Sequence, residues 1–164
     1  MKKTLFVLLL VMASVSSFAQ SWNSSEREFA YWRQAELVAD ADTPFIRYNG
    51  VTTLAGVGYG GLRAGVGLGL HYGYSRFQGY GDIVAPLFLC FQADIINAGK
   101  FAPFIDIRGG ADLDIEWQHI IPFAQYGVGF RYSRVSISIG TKHQRLAKNA
   151  IQKYEYLITL GLSF

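Results

Sequence analysis

The sequence predicts an all-β fold: an eight-stranded antiparallel transmembrane up-and-down β-barrel that follows a cleaved signal peptide. Three observations carry it. Past the first 20 residues, apolar side chains recur at every second position along most of the 164-residue chain, which is the period of a strand and not of a helix. The connections between these alternating segments are short and long in strict turn. Finally, 51% hydrophobic residues against 16% charged ones leave a large apolar surface, yet beyond the N-terminus no run of 18 apolar residues exists to form a membrane helix.

The first element is the leader MKKTLFVLLLVMASVSSFAQ. Lys2 and Lys3 form a positive start, residues 4–15 an apolar core, and Ser17, Phe18 and Ala19 a small-x-small cleavage site, the pattern of a secretory signal peptide removed after Ala19. The apolar core falls short of the roughly 20 residues of a membrane-spanning helix. The expected organisation is a signal peptide over 1–19, a short N-terminal segment over 20–29, and the barrel over 30–164. Losing Lys2 and Lys3 takes Lys+Arg from 15 to 13 against 12 Asp+Glu. A net charge near +1 does not suggest a nucleic-acid partner. Cys90 is the single cysteine, and burial as a small apolar group is its expected fate.

The strands follow in order. A weakly marked one is expected near 31–39, and a second where Val51, Thr53, Ala55, Val57 and Tyr59 oppose Thr52, Leu54, Gly56 and Gly58. The third, over 62–75, is the clearest: Leu62, Ala64, Val66, Leu68, Leu70, Tyr72 and Tyr74 alternate with Arg63, Gly65, Gly67, Gly69, His71, Gly73 and Ser75. A soluble sandwich would make its outer face long and hydrophilic; a glycine-lined polar face fits a crowded, narrow lumen. The fourth, over 83–96, sets Leu87, Leu89 and Phe91 against Phe88, Cys90 and Gln92. A fifth over 101–112 and a sixth over 120–132 repeat the scheme, with Asp106, Arg108, Gln125 and Arg131 on the polar side. Val135, Ile137 and Ile139 mark the seventh. The eighth is the terminal YEYLITLGLSF.

Short connections near 58–61, 97–100 and 132–134 alternate with longer, more charged ones near 40–44, 76–82, 111–118 and 144–153. Outer-membrane barrels show this asymmetry between periplasmic turns and outer loops. Lipid admits only helices or closed barrels, and each segment has about the 9–11 residues that a tilted spanning strand requires. A soluble lipocalin-like barrel is the alternative fold.

The succession LRAGVGLGLHY, APLFLCFQADI, FAPFIDIRGGA, FAQYGVGFRY and VSISIGTKH, ending in YLITLGLSF, resembles the small outer-membrane β-barrel ("porin family") proteins of Bacteroidota. It is similar more distantly to the outer membrane protein A and X barrels. The resemblance implies a Gram-negative outer membrane as the location. It also implies that Tyr156, Ile158, Leu160, Leu162 and Phe164 form an assembly signal read by the barrel-assembly machinery through strand-edge pairing.

Strand parity places Glu36, Arg63, His71, Gln92, Asp94, Asp106, Arg108, Gln125, Arg131 and Glu155 in the lumen. An eight-stranded interior is only wide enough for side chains to fill it, and buried charges must be compensated. These ten residues are therefore read as a polar network that plugs the bore, with a narrow channel for small solutes as the alternative; the lumen glycines are expected to leave room for long Arg side chains or water. A lipid A-modifying enzyme is the third reading. Against it, the His-x-Ser arrangement of outer-membrane deacylases is absent at His143, whose neighbours are Lys142, Gln144 and Arg145, and His119 has no obvious serine partner. His71 and Ser75 would lie about 13 Å apart along a strand, too far for a nucleophile and its base. Neither catalytic residues nor a metal or cofactor is expected. Tyr72, Tyr74, Phe77 and Tyr80 are read as one interfacial girdle and Tyr59, Phe101, Tyr132 and Phe164 as the other. The expected partners are outer-membrane lipid, lipopolysaccharide and the assembly machinery; a monomer is expected.

Overall fold

The computed structural model describes residues 29–41, 48–74, 81–96, 100–115, 119–145 and 152–164. Eight strands occupy most of them: β1 (Phe29–Asp40), β2 (Tyr48–Tyr59), β3 (Leu62–Tyr74), β4 (Gly81–Asp94), β5 (Phe101–Asp114), β6 (Ile120–Tyr132), β7 (Val135–Arg145) and β8 (Gln152–Ser163). Each pairs with its neighbours in chain order, and β8 returns to β1 to close the barrel. The closing seam is antiparallel and runs from Gln34↔Ser163 to Asp40↔Leu157. The seam closes the strand edges that an open sheet would expose, the condition lipid imposes.

The register fixes the shape. Stepping across the barrel from Ala30 leads to Gly58, Arg63, Gln92, Asp106, Gly127, Gly140 and Leu157, and then back to β1 at Asp40, ten residues beyond the start. With eight strands, that stagger and ordinary strand spacings tilt the strands by about 40° and give a backbone radius of about 8 Å. Strands of 11 to 14 residues at that tilt make a wall about 30 Å tall, close to the hydrocarbon thickness of a bilayer.

Two tight turns close one end of the barrel. Tyr59 pairs with Leu62 and Tyr132 with Val135, so each loop holds two residues. Gly60 and Ser133, the first residue of each, have positive φ of 60° and 55°, as a type II′ hairpin turn requires.

Several strand limits differ from the sequence reading. The strand expected over 31–39 extends to Phe29–Asp40, so Phe29 belongs to the barrel and not to the preceding segment. β4 begins at Gly81 and ends at Asp94, leaving Ile95 and Ile96 beyond it. β5 reaches Asp114 and β7 Arg145, although 111–118 and 144–153 read as loops. The cause is their polarity. Charged residues normally mark solvent, but Asp112 and Gln144 continue the inward face of their strands and are buried. Ser75, Phe77 and Tyr80 lie outside the described residues.

Inward glycines accept large neighbours directly across the ladder. Gly67 faces Phe88, Gly129 faces Phe104, and Gly50 faces His71. A Cβ on Gly67 or Gly129 would overlap the Phe ring opposite, and one on Gly50 would overlap the imidazole. The space that the lumen glycines were expected to leave for Arg side chains or water is thus taken largely by aromatic rings. In so narrow a cylinder inward side chains converge, and alternating none with large lets the layers interdigitate at interior density.

Candidate functional site: a filled bore

The side chains facing the axis form three tiers, each with a cation, an acid and a phenylalanine. Nearest the tight turns, Asp94 of β4 accepts from Arg131 of β6 at 3.0 Å and from Arg63 of β3 at 3.4 Å. At mid-height Arg108 of β5 holds Glu36 of β1 with both terminal nitrogens, at 2.6 and 2.8 Å. Its Nε donates to Asp106 Oδ2 at 2.8 Å. Toward the loop end, Lys142 of β7 and the Gln144 amide both reach Asp112 Oδ2 on β5.

The phenylalanines stand in one fixed relation to the cations. The Arg131 guanidinium lies 5.1 Å from the Phe104 ring centre, that of Arg108 5.3 Å from Phe88, and the Lys142 ammonium 4.3 Å from Phe123. Each phenylalanine pairs across the ladder with Gly129, Gly110 or Gln144. In all three cases the cation stands two residues from that partner, toward the tight-turn end. This diagonal brings a long side chain within reach of the neighbouring ring. Phe88 and Phe123 also meet edge to face at 6.0 Å, joining two tiers.

Of the ten residues assigned to the lumen from parity, Glu36, His71, Gln92, Asp106, Arg108, Arg131 and Glu155 are buried, while Arg63, Asp94 and Gln125 are partly exposed. Glu36 also accepts from Gln34 Nε2 at 2.9 Å, and that nitrogen lies 3.2 Å from Ser136 Oγ. His71 Nε2 and Thr52 Oγ1 share a hydrogen bond of 2.8 Å. Gln125 stands beside Arg108 and Lys142 in the ladder, and Glu155 beside Lys142. The Gln92 amide, Trp32 Nε1, Arg131 Nη2 and Asp112 Oδ1 are buried with no hydrogen-bond partner among the described residues; buried polar atoms of this kind are commonly satisfied by ordered water. Cys90 is buried, its sulfur 3.5 Å from Asp106 Oδ1.

Sequence reasoning left Gln34, Asp40, Asp112, Lys142, Gln144 and Trp32 out of the lumen; all are buried, as are Thr52, Phe88, Phe104, Phe123 and Ser136. Parity alone would have found Lys142 and Gln144, since both continue the inward series Ser136, Ser138, Gly140. Among the described residues no group of three or more His, Cys, Asp and Glu side chains is placed to hold a metal ion.

Outside, the wall is apolar. Val66, Leu89, Ile107, Val128 and Ile139 each expose half or more of their surface, and on β8 Tyr156, Ile158, Leu160 and Leu162 face outward. The backbone N–H of Phe164 donates to the Arg33 carbonyl at 2.9 Å, so the end of the chain stays tied to β1. His143 also faces outward, between Tyr126 and Tyr154.

An apolar outside around a polar, filled inside inverts the plan of a soluble barrel. The fold is that of a small outer-membrane β-barrel. Among solved structures the chain is similar to the outer membrane enzyme PagL, with a TM-score of 0.56 and 13% identity over 80% of this chain and 98% of that one. Neisserial surface protein A (NspA) matches at a TM-score of 0.49 and 13% identity, covering 83% of this chain and 97% of that one. The N-terminal β-barrel domain of Pseudomonas aeruginosa OprF matches at 0.47 and 11%, covering 84% and 100%. No protein-family model and no curated protein matches the chain. Identities this low carry the fold and nothing of the activity.

Proposed function

We propose that this protein is an integral outer-membrane barrel with a structural, membrane-integrity or surface-interaction role, its bore closed to solutes and its wall in contact with outer-membrane lipid. The observation that carries the proposal is the Arg108 to Glu36 pair. β1 and β5 are four strands apart in either direction around an eight-stranded ring, so the bidentate contact spans the bore from wall to wall. With Phe88 packed against the same guanidinium, side chains cross the middle tier from wall to wall, which weighs against the narrow-channel reading. In this proposal the tight-turn end and both barrel termini face the periplasm, the longer connections face outward, and the protein acts as a monomer. The proposal includes membership of the Bacteroidota-type porin-family barrels that the sequence resembles, with the β8 series Tyr156, Ile158, Leu160, Leu162 and Phe164 serving as the signal for the assembly machinery.

Catalysis is the competing reading, since PagL is an outer membrane enzyme. Here His143 hydrogen-bonds a tyrosine and no serine stands at its second neighbour, which is Arg145. Two measurements on one deletion strain separate the readings. A structural role predicts heightened sensitivity to detergent and large antibiotics, restored by the gene, with lipid A masses unchanged. A change in lipid A mass that follows the gene, with the permeability barrier intact, would replace this proposal with an enzyme.

A further inference from the structure

We propose that the outward face at the loop end of β6, β7 and β8 binds the phosphorylated headgroup of an outer-leaflet lipid, centred on His143, Tyr126 and Tyr154. The inference deepens the proposed membrane role and rests on it. His143 is an imidazole on a wall otherwise lined by side chains such as Val128, Ile139 and Ile158. Its Nε2 lies 2.8 Å from the Tyr126 hydroxyl, and the two rings stack at 5.1 Å and 29°. The Tyr154 ring meets the imidazole edge-on at 4.5 Å and 77°. In the tautomer this proposal assigns, the phenol donates to Nε2 and the ring proton sits on Nδ1, which makes no hydrogen bond among the described residues. The imidazole is thereby held in one orientation with a donor to offer.

Three features select an anionic lipid as the occupant. β7 ends at Arg145, two residues past His143, so the cluster lies near the rim where headgroups sit, with the apolar wall of Ile139 and Ile158 toward mid-height to receive acyl chains. The stretch 145–153, which joins His143's strand to Tyr154's, contains Arg145, Lys148 and Lys153 and no acid; each cation near a membrane surface favours anionic lipid. Tyr126 and Tyr154 expose about half their surface, 53% and 51%, although they flank the imidazole. A tyrosine girdle alone calls for no such hydrogen-bonded ring.

Native mass spectrometry of the full mature chain, released from micelles containing phosphatidylglycerol or phosphatidylcholine, tests this. One retained phosphatidylglycerol per barrel is expected, with phosphatidylcholine lost at lower collision energy. His143→Phe, which keeps a ring and removes the donor, should cut the retained fraction by about tenfold, the scale of one charge-assisted hydrogen bond. Tyr126→Phe should cut it by about half as much on the same scale, whereas Tyr72→Phe on the opposite wall should leave it unchanged. Equal retention of both lipids, or undiminished phosphatidylglycerol retention in His143→Phe, overturns the site. Heat-modifiable migration verifies that each variant is folded, and His143→Gln replaces any that is not. A chain that folds but does not enter bilayers contradicts the membrane reading instead.

Discussion

Arg108 on β5 reaches through the centre of the barrel and holds both carboxylate oxygens of Glu36 on β1, the opposite wall. Both side chains are almost completely buried, at 3% and 1% exposure. Breaking such a pair from one side strands a buried charge. Arg108→Leu takes the cation from both Glu36 and Asp106 and is expected to cost about 3–5 kcal/mol, and the combined Arg108→Leu, Glu36→Leu and Asp106→Asn variant considerably less. Urea midpoints followed by tryptophan fluorescence in lipid vesicles measure both. A single variant as stable as the combined one would show that the pair does not cross-brace the barrel.

Phe88 stands directly across from Gly67, and a Cβ there would overlap its ring. Gly67→Val should destabilise the barrel by about 1–3 kcal/mol through overpacking. Placing it in a Phe88→Ala background should relieve part of that cost, a coupling that two independent sites would not show. Additive losses would mean that the glycine serves something other than the ring.

Val128 lies outward at the middle of β6 and Val135 outward beside a tight turn. Arginine at position 128 should cost about 2–4 kcal/mol in a bilayer and at position 135 no more than about 1, because the penalty depends on depth in the hydrocarbon. Equal costs would contradict the assignment of the apolar wall to lipid.

How much of this was legible in the sequence depended on which contacts are local. The eight strands and their inward and outward faces follow from alternation, because successive side chains point to opposite sides whatever the neighbouring strand does. The ends of β5 and β7 did not follow, because Asp112 and Gln144 look like loop residues until they are seen to meet one another over the inner face of β6. The diagonal between Arg108 and Phe88 exists only once Phe88 is paired with Gly110. Glu36 comes opposite Arg108 only because of the ten-residue stagger. Composition and periodicity contain neither register nor stagger. The outward His143 cluster was hidden for the same reason, since Tyr126, His143 and Tyr154 sit on three strands.

Cys90 provides a chemical view of the lumen. Its side chain is packed against Asp106 in the middle tier, so a membrane-impermeant maleimide added to the folded barrel should label it negligibly. Full labelling is expected after unfolding. The Arg108→Ala variant, which opens the middle tier, should label measurably faster than wild type, and rapid labelling of the wild-type barrel from either side would mean that water and small solutes already pass.

The most direct test of a closed bore is planar-bilayer conductance of the purified full-length mature chain. The wild type should give no reproducible unitary steps in molar potassium chloride at ±100 mV, and Arg108→Ala combined with Phe88→Ala should introduce small ones. Regular steps from the wild type that shrink or vanish when Arg108 or Arg63 is changed would contradict the account, since those arginines would then line a conducting path.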